Sequence, residues 1–204
     1  MVTRAEQRDA TRARILEVAT ELLIERGYSA LTTVAVQQRA GLSRGALLHH
    51  FPTARDLSEA LVADLVVLNE AATQAAAATL GDAVDPVERA LSALYSALTQ
   101  PPARAEFALW AAAGTDPDLA AALRVAERKA GRDLHRVVDG LFGAPIVAHP
   151  RYPAVRDLTI AVLRGLAGTR ALQSSDQANR VVLAQWADAI RILLAPGHIS
   201  EADG

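Results

Sequence analysis

The chain has 204 residues, of which 51% are apolar, so it is long enough to bury a sizeable core in one large or two small domains. It contains no cysteine, which excludes disulfide bonds and thiolate metal sites. No apolar run approaches the roughly 18 residues of a membrane span, and the first residues do not form a signal peptide. We therefore expect a cytoplasmic protein with no membrane partner.

The formal net charge is −2, and the charge is distributed unevenly along the chain. Residues 1–56 hold eight arginines and six acidic residues, a net charge of +2, whereas residues 57–204 hold 13 basic and 17 acidic residues, a net charge of −4. The N-terminal part is therefore the part suited to an anionic partner. Aromatic residues make up only 4% of the chain, and alanine and leucine are abundant, which favours an all-α fold.

Apolar residues recur at helical spacing over residues 9–26 and predict a first helix there. Residues 1–8 are polar, and we expect them to form a solvated tail, from which Arg4 and Arg8 could reach a phosphate group. Gly27 follows the last residue of the helix and ends it, as glycine commonly does.

Residues 33–51 predict two short helices around one tight turn. Thr33 is the expected N-cap of the first helix, and Gly41 supplies the positive φ that the backbone needs after its last residue. Ser43 is placed to accept a hydrogen bond from the N–H groups that start the second helix, over residues 44–50. The side chains expected on the buried side of the pair are Val34, Val36, Ala40, Leu42, Leu47 and Phe51.

The outer face of the second helix is small, basic and polar. Two helices crossed through a short glycine turn, with such a face on the second, are typical of a helix-turn-helix, whose second helix enters the major groove of DNA. The same residues also fit an ordinary helical hairpin in a bundle. The outer face carries Arg44, Ala46, His49 and His50.

The chemistry of each side chain suggests its role on DNA. Arg44 is suited to read a guanine or to hold a phosphate, and Ala46 is small enough to meet a thymine methyl group. His49 projects from the same face. His50 and Thr33 are better placed for phosphates, whose contacts position a protein without reading sequence.

Residues 12–57 resemble the N-terminal domain of the TetR family of transcriptional repressors. The matching stretches span three helices at the family's spacing, which is more specific than a lone helix-turn-helix. The resemblance implies a helix-turn-helix DNA-binding domain over residues 1–53 and a larger helical ligand-binding and dimerisation domain over residues 54–204. The matching stretches are Thr-Arg-Ala-Arg-Ile-Leu-Glu-Val-Ala, Leu-Leu-Ile-Glu-Arg-Gly-Tyr, Leu-Thr-Thr-Val, Arg-Ala-Gly-Leu-Ser-Arg-Gly-Ala-Leu and His-His-Phe-Pro-Thr.

Three positions depart from the family's pattern. Gln37 stands where a small alanine usually packs between the two helices. Leu48 replaces a tyrosine whose hydroxyl commonly reaches a DNA phosphate, so it is either an apolar base contact or the loss of that hydroxyl. Ala54 stands where a phosphate-binding lysine is usual, although Arg55 lies next to it.

The predicted partner is a double-stranded DNA operator. Two residues of the predicted site, Thr33 and Ser43, also fit plain helix capping, and the two roles can coexist. The predicted DNA-binding residues are Thr33, Ser43, Arg44, Gly45, Ala46, Leu48, His49, His50 and Arg55.

The rest of the chain predicts further helices, to a total of about nine. The first is long and runs from after Thr53 to about Leu80. Residues 143–153 hold two Gly/Pro clusters and predict a loop. The other helices are expected from Pro86, over residues 103–113, from Thr115, over residues 154–173 and over residues 176–194.

The helices between Pro86 and this loop carry apolar and aromatic side chains with few polar groups among them. In the TetR family this region encloses a small-molecule pocket, so the resemblance implies an unidentified hydrophobic or amphipathic effector. Simple core packing is the alternative. His135 is expected either as a satisfied core histidine or as a polar group of the pocket. The predicted ligand-binding residues are Leu94, Tyr95, Leu98, Phe107, Trp110, Leu134 and His135.

The last two predicted helices carry more apolar surface than one helix contact can bury, together with small residues that permit close approach. This pattern predicts a homodimer interface, and burial within the monomer is the alternative. The predicted interface residues are Leu158, Ala161, Gly165, Gly168, Trp186 and Ile190.

The sequence contains no motif for catalysis, for a cofactor or for a metal ion. His49 and His50 are adjacent, so on a helix they point about 100° apart and cannot readily share a metal. We therefore predict a ligand-responsive transcriptional repressor, not an enzyme, that binds a near-palindromic operator as a homodimer. The alternative is a helical small-molecule-binding protein or enzyme that has lost DNA binding, which Leu48 and Ala54 favour.

Overall fold

The computed structural model describes residues 3–80, 85–172 and 175–195, without the side chains of residues 126, 127, 129, 130 and 171. Over these ranges the fold is all-α, as predicted, with ten α-helices and no strand. Short 3-10 helices cover Tyr28–Ala30 and Arg170–Leu172. The α-helices are α1 (Arg4–Arg26), α2 (Thr33–Ala40), α3 (Arg44–His50), α4 (Ala54–Ala78), α5 (Pro86–Leu98), α6 (Pro101–Ala113), α7 (Pro117–Phe142), α8 (Ala144–Val147), α9 (Tyr152–Thr169) and α10 (Gln177–Leu193).

The first compact unit comprises residues 1–72 and 99–132, and its core forms around one face of α1. The predicted apolar stripe of α1 is buried, with Ile15 and Ala19 fully inaccessible. Val36 of α2 and Leu47 of α3 pack into the same core, as do residues of α4, α6 and α7. The predicted functional boundary after residue 53 stays a prediction.

The second compact unit comprises residues 73–98 and 133–204. Helices α5, α9 and α10 pack on one another in it and bury Leu91, Leu163 and Ile190. The hydroxyl of the buried Tyr152 donates a 2.7 Å hydrogen bond to Oδ1 of Asp139 on α7. Burial and this carboxylate raise the pKa of Tyr152, so the phenol is a fixed, neutral donor.

The start of α1 differs from the prediction of a solvated tail over residues 1–8. The helix begins at Arg4, because Thr3 and Glu6 form a capping box. The Thr3 hydroxyl oxygen accepts from the Glu6 N–H at 3.2 Å, and the Glu6 carboxylate accepts from the Thr3 N–H at 2.6 Å. The described tail is therefore part of the helix.

Two predictions for α2 are wrong in detail. The N-cap is Thr32 rather than Thr33, since the Thr32 hydroxyl oxygen accepts from the Ala35 N–H at 3.1 Å. Val34 was expected on the buried side with Val36, yet it is 57% exposed. Residues two apart on a helix point to opposite sides, so only one of these valines can face the core.

The predicted loop over residues 143–153 contains helical structure. Gly143 adopts a φ of +82°, after which the four-residue α8 begins. Helix α9 begins at Tyr152, earlier than predicted, with Pro153 in its first turn, where the missing N–H costs no hydrogen bond. The prolines of this segment therefore lie in the first turns of α8 and α9, where proline is compatible with a helix.

Helix α4 is, among the described helices, the one long and apolar enough to cross a membrane by length and composition. This departs from the expectation that no segment would qualify. Leu57, Leu61 and Leu65 of α4 are buried in the first unit's core. A core helix passes the same test, so the finding is weak evidence for a membrane span.

Candidate nucleic-acid interface

The turn between α2 and α3 is set by Gly41. Its φ of +69° and ψ of +30° lie in the left-handed region, which glycine adopts without steric cost. The Gly41 N–H donates to the Gln38 carbonyl at 3.2 Å, and the Leu42 N–H donates to the Gln37 carbonyl at 3.1 Å. These two bonds are the pattern of a Schellman motif, which ends α2 sharply and turns the chain into α3.

Helix α3 is held at both ends. At its start the Ser43 hydroxyl oxygen accepts from the Ala46 N–H at 3.1 Å, which confirms the predicted cap. Leu47 and Phe51 are 1% and 2% exposed, so one side of the helix is fixed in the core of the first unit. The opposite side must therefore face away from that core.

The outward side of α3 begins with an arginine and a glycine. Arg44 and Gly45 are exposed, and Arg44 makes no ion pair with any residue that the structure describes. A Cβ added at Gly45 would meet no heavy atom within 4 Å. Glycine is a weaker helix former than alanine, and packing against the described residues does not require a glycine at position 45. Ala46 is half-buried beside it, and Leu48 is 36% exposed.

Two histidines end α3. His49 is exposed and His50 half-buried, and their rings meet edge-on with centroids 5.6 Å apart. Burial lowers the pKa of His50, and the nearby charges of His49, Arg8 and Arg12 lower it further. His50 therefore lies among positive charges, and a bound anion would reduce the repulsion between them and a protonated His50.

Arg12 of α1 lies beside the end of α3, although the sequence did not predict it as a site residue. Its guanidinium lies 5.0 Å from the centroid of the Phe51 ring, a cation–π distance. The sequence signal was its spacing, because Arg4, Arg8 and Arg12 recur every four residues.

Arg39 anchors α2 to α1. Its guanidinium donates to the Glu25 carboxylate at 2.6 and 2.7 Å and to Glu21 Oε2 at 3.0 and 3.2 Å. The Glu25 hydrogen bond raises the pKa of Arg39, and the same bond lowers the pKa of Glu25. Arg39 thus holds α2 against α1 through ion pairs, whereas Arg44 makes no ion pair with a described residue.

The other predicted DNA-binding residues lie on the neighbouring helices. Thr33 is the first residue of α2 and is half-buried. Arg55 is exposed in the first turn of α4, where its Nε donates to Glu59 Oε1 at 2.8 Å. A phosphate contact by Arg55 would therefore compete with this exposed ion pair.

The predicted ligand-binding residues are divided between the two units, each described by itself. In the first unit Phe107 and Trp110 are half-buried, with ring centroids 5.3 Å apart. In the second, the amide of buried Asn179 donates to the half-buried Tyr95 hydroxyl oxygen at 2.6 Å. The side chain of Leu94 is 4% exposed, and Leu98 and Leu134 are half-buried.

His135 is not a core histidine, which was the first of its two expected roles. Its side chain is 40% exposed, and Nε2 lies 3.6 Å from Oδ1 of Asp157 on α9. Its apolar neighbours Leu134 and Val137 pack against the core of the second unit, and Val138 is buried in it. Its expected role as a polar group of a pocket stays a prediction.

The predicted dimer residues divide by exposure. Leu158, Ala161, Gly165 and Gly168 are exposed on α9, and a Cβ at either glycine would meet nothing within 4 Å. Trp186 is half-buried, and its indole N–H donates to the Thr159 hydroxyl oxygen at 3.0 Å. Ile190 is fully buried in the core of its own unit, so its apolar surface serves the monomer.

Among the side chains that the structure describes, no three His, Asp or Glu residues cluster as a metal site would require.

A sequence model of the bacterial regulatory proteins of the tetR family matches residues 15–61, which hold α2, α3 and the adjoining parts of α1 and α4. Over residues 15–61 the chain resembles the TetR family. An uncharacterized HTH-type transcriptional regulator of Mycobacterium bovis is 38% identical to this chain over 58 residues, which cover 28% of the chain and 30% of the relative. The HTH-type transcriptional regulator CymR of Pseudomonas putida is 40% identical over 55 residues, 27% of each protein. The chain thus matches less than a third of the length of these curated relatives.

Solved structures extend the likeness in fold over most of the chain. A member of the TetR family from Streptomyces coelicolor A3 superposes with a TM-score of 0.63 at 21% identity, covering 91% of this chain and 99% of that one. The multidrug binding protein EbrR, complexed with imidazole, gives a TM-score of 0.64 at 19% identity, covering 92% and 97%. At these identities the similarity shows a shared fold.

Proposed function

We propose that this protein is a ligand-responsive transcriptional repressor of the TetR family that binds a near-palindromic operator as a homodimer. The observation that carries the proposal is the orientation of α3. Leu47 and Phe51 fix one side in the core, while Arg44, Gly45 and His49 stand exposed on the other. A helix presented in this way can enter a major groove with its N-terminal residues near base edges.

The outer residues divide by chemistry. Arg44 is placed to donate a bidentate pair of hydrogen bonds to a guanine, and Ala46 to contact a thymine methyl group. Gly45 lets the helix backbone approach the DNA closely. His49 lies on the same side, and His50 is suited to hold a phosphate, a contact that positions the protein without reading sequence.

Small residues on the exposed side of α9 support the homodimer. Gly165 and Gly168 leave open space within the chain, and Leu158 and Val181 are 49% and 46% exposed. Apolar surface next to glycines suits a closely approaching second copy, related by a two-fold axis. Two recognition helices would then meet half-sites about one helical turn of DNA, roughly 34–36 Å, apart or a multiple of it.

A small hydrophobic or amphipathic effector would release the protein from DNA. The aromatic pair Phe107–Trp110 in the first unit and Tyr95 in the second are the candidate contacts. The fold neighbour EbrR is named a multidrug binding protein, which supports an effector of this type. We place the protein in the cytoplasm, where it would meet both DNA and effector.

The test is binding to DNA from upstream of the protein's own gene and to duplexes selected from a random library. We expect sequence-preferring binding that falls steeply with salt, because phosphate contacts release counterions. Arg44→Ala should abolish the preference while the protein stays folded. Arg26→Ala, at the exposed far end of α1, is the matched control and should bind normally. Equal operator affinity of the wild type and Arg44→Ala would mean that α3 is not the recognition helix.

A second candidate is a helical small-molecule-binding protein or enzyme that has lost DNA binding. Leu48 and Ala54 favour it, because each lacks the polar group that a phosphate contact needs. The same experiment separates the two, since this candidate prefers no duplex at any salt concentration.

A further inference from the structure

The N-terminal part of α1 extends beyond the core with a basic side. Arg4, Arg8 and Arg12 are exposed and lie four residues apart, within an arc of about 80° of the helix. Farther along α1, the same arc holds Ile15, Ala19 and Leu22, which are buried. One side of α1 thus carries buried apolar residues where it packs on the core and exposed arginines where the helix extends beyond the core.

This basic side lies next to α3. The guanidinium of Arg12 stands 5.0 Å from the ring of Phe51, the residue that follows α3. The charges of Arg8 and Arg12 both act on His50, whose pKa they lower after the larger effect of burial. Arg8 and Arg12 of α1 therefore add their positive charge next to the end of α3.

The acidic residues of this segment do not cancel the stripe. Glu6 lies about 160° around the helix from Arg8 and is engaged with the N–H of Thr3. Asp9 lies about 100° from Arg8, on the flank of the helix. The capping box fixes the first turn, so Arg4 is carried on ordered helix rather than on a loose tail.

We propose that Arg4, Arg8 and Arg12 form a second DNA-contacting element, a basic stripe that binds phosphates of the same duplex that α3 reads. The inference rests on the proposed DNA-binding function. Successive arginines are about 6 Å apart along the helix, so each can meet a different phosphate. Because phosphates carry no sequence information, the stripe adds affinity and orientation but no base preference.

The experiment uses the full-length protein and two duplexes of equal length. One carries an operator that the wild type selects from a random library, and the other is a shuffled sequence. Affinities are measured over about 50–200 mM salt for the wild type, Arg4→Gln/Arg8→Gln and Arg26→Gln. Arg12 is left intact because it packs on Phe51, and burial raises the pKa of Asp64 against the opposing charge of Arg12.

We expect the double variant to lower the magnitude of the salt slope by about 0.9 for each arginine removed. Its affinity should fall by the same factor on both duplexes, which leaves the specificity ratio unchanged. Arg26→Gln, on the same helix, should keep the wild-type slope, and Arg4→Lys/Arg8→Lys should retain most of it. Glutamine is nearly as good a helix former as arginine, so circular dichroism should show unchanged helix content.

Two results would contradict the proposal that the basic stripe binds phosphates. One is a double variant with the wild-type salt slope. The other is a loss of affinity confined to the operator, which would make these arginines base readers. A wild type that prefers no duplex would instead overturn the proposed function itself.

Discussion

Gly45 is the second residue of α3, and a methyl group added there would meet no heavy atom within 4 Å from the described residues beyond its own stretch of helix. Gly45→Ala should therefore stabilise the protein by about 0.5–1 kcal/mol, since alanine is the better helix former. It should also weaken operator binding by about tenfold or more, because the methyl group would stand between α3 and the bases. Urea unfolding and a binding isotherm measure the two effects.

Gly140→Ala is the matched control for this variant. Gly140 is an exposed glycine in α7 with the same open space around it, so alanine there should raise stability without changing DNA affinity. Undiminished operator binding by Gly45→Ala would remove Gly45 from the interface.

His50 should make operator binding depend on pH. Burial, His49, Arg8 and Arg12 hold its pKa below the usual 6.5, so the neutral form is favoured in the folded protein. The stability that His50 contributes is therefore present above about pH 6.5 and is lost as the pH falls towards the lowered pKa. A bound phosphate favours the charged form, so affinity should rise a few-fold as the pH drops through this window.

The measurement is operator affinity between about pH 7.5 and 5.5 for the wild type, His50→Gln and His49→Gln. His50→Gln should show the flatter profile below the usual pKa, because it lacks the group with the lowered pKa. If His50→Gln follows the wild-type curve throughout, His50 does not meet the DNA.

At the scale of elements, the turn between α2 and α3 depends on one backbone conformation. Gly41→Ala forces an L-residue to a φ of +69° and should cost about 1–2 kcal/mol, although the added methyl group meets no neighbour. Gly41→Asn should cost less, since asparagine tolerates this region better. Urea unfolding midpoints in the order wild type, Asn, Ala are expected; an alanine variant as stable as the wild type would contradict the strain argument.

Much of the N-terminal region could be predicted because its signals are local. Gly41, Ser43 and the spacing of Leu47 and Phe51 fix a turn, a cap and a buried side within a few residues, and α3 spans the predicted residues. The start of α1 was misjudged because the polar composition of its first turn hid a capping box. Polar residues such as threonine are preferred at the N-cap, so polar composition at a helix start does not by itself indicate a solvated tail.

Burial of single side chains was harder to predict, because it depends on which neighbouring helix covers them. His135 looks internal from its apolar neighbours in sequence, yet it lies near Asp157 with 40% of its side chain exposed. Ile190 and Gly165 looked alike as interface candidates, but the first is buried in the monomer and the second is exposed. The spacing of apolar residues predicts which side of a helix is apolar, but not which neighbouring helix or second chain covers that side.

At the scale of the whole molecule, the exposed side of α9 should control assembly. Gly165→Glu would place an unpaired carboxylate in the proposed interface, at a cost of several kcal/mol. Light scattering should then give the 21.6 kDa mass of one chain instead of twice that mass. Gly140→Glu, at an exposed position of α7, should leave the dimer intact. A dimeric Gly165→Glu would move the interface elsewhere.

Effector and operator should oppose each other. Helix α4 is one continuous helix whose first part belongs to the unit that holds α3 and whose last residues belong to the other unit. A small molecule that changes the position of this helix would change how α3 is presented. Linkage then requires effector and DNA to weaken each other by the same factor, typically about 5–150-fold.

Trp110 provides the measurement for this coupling. A screen of hydrophobic and amphipathic compounds should find one that changes tryptophan fluorescence and releases DNA over the same concentration range. Trp110→Phe, which leaves Trp186 as the remaining tryptophan, should lose most of the fluorescence change. A compound that changes the fluorescence and leaves operator affinity unchanged would contradict the coupling, though not the binding of DNA.

The division of α3 into an inner and an outer side also bears on how the protein could change its target. Substitutions at exposed positions usually alter stability by less than about 0.5 kcal/mol. Arg44, Gly45 and His49 are exposed, whereas the buried Leu47 and Phe51 tie the helix to the core. A new operator preference can therefore evolve, or be engineered, one residue at a time through intermediates that all remain folded.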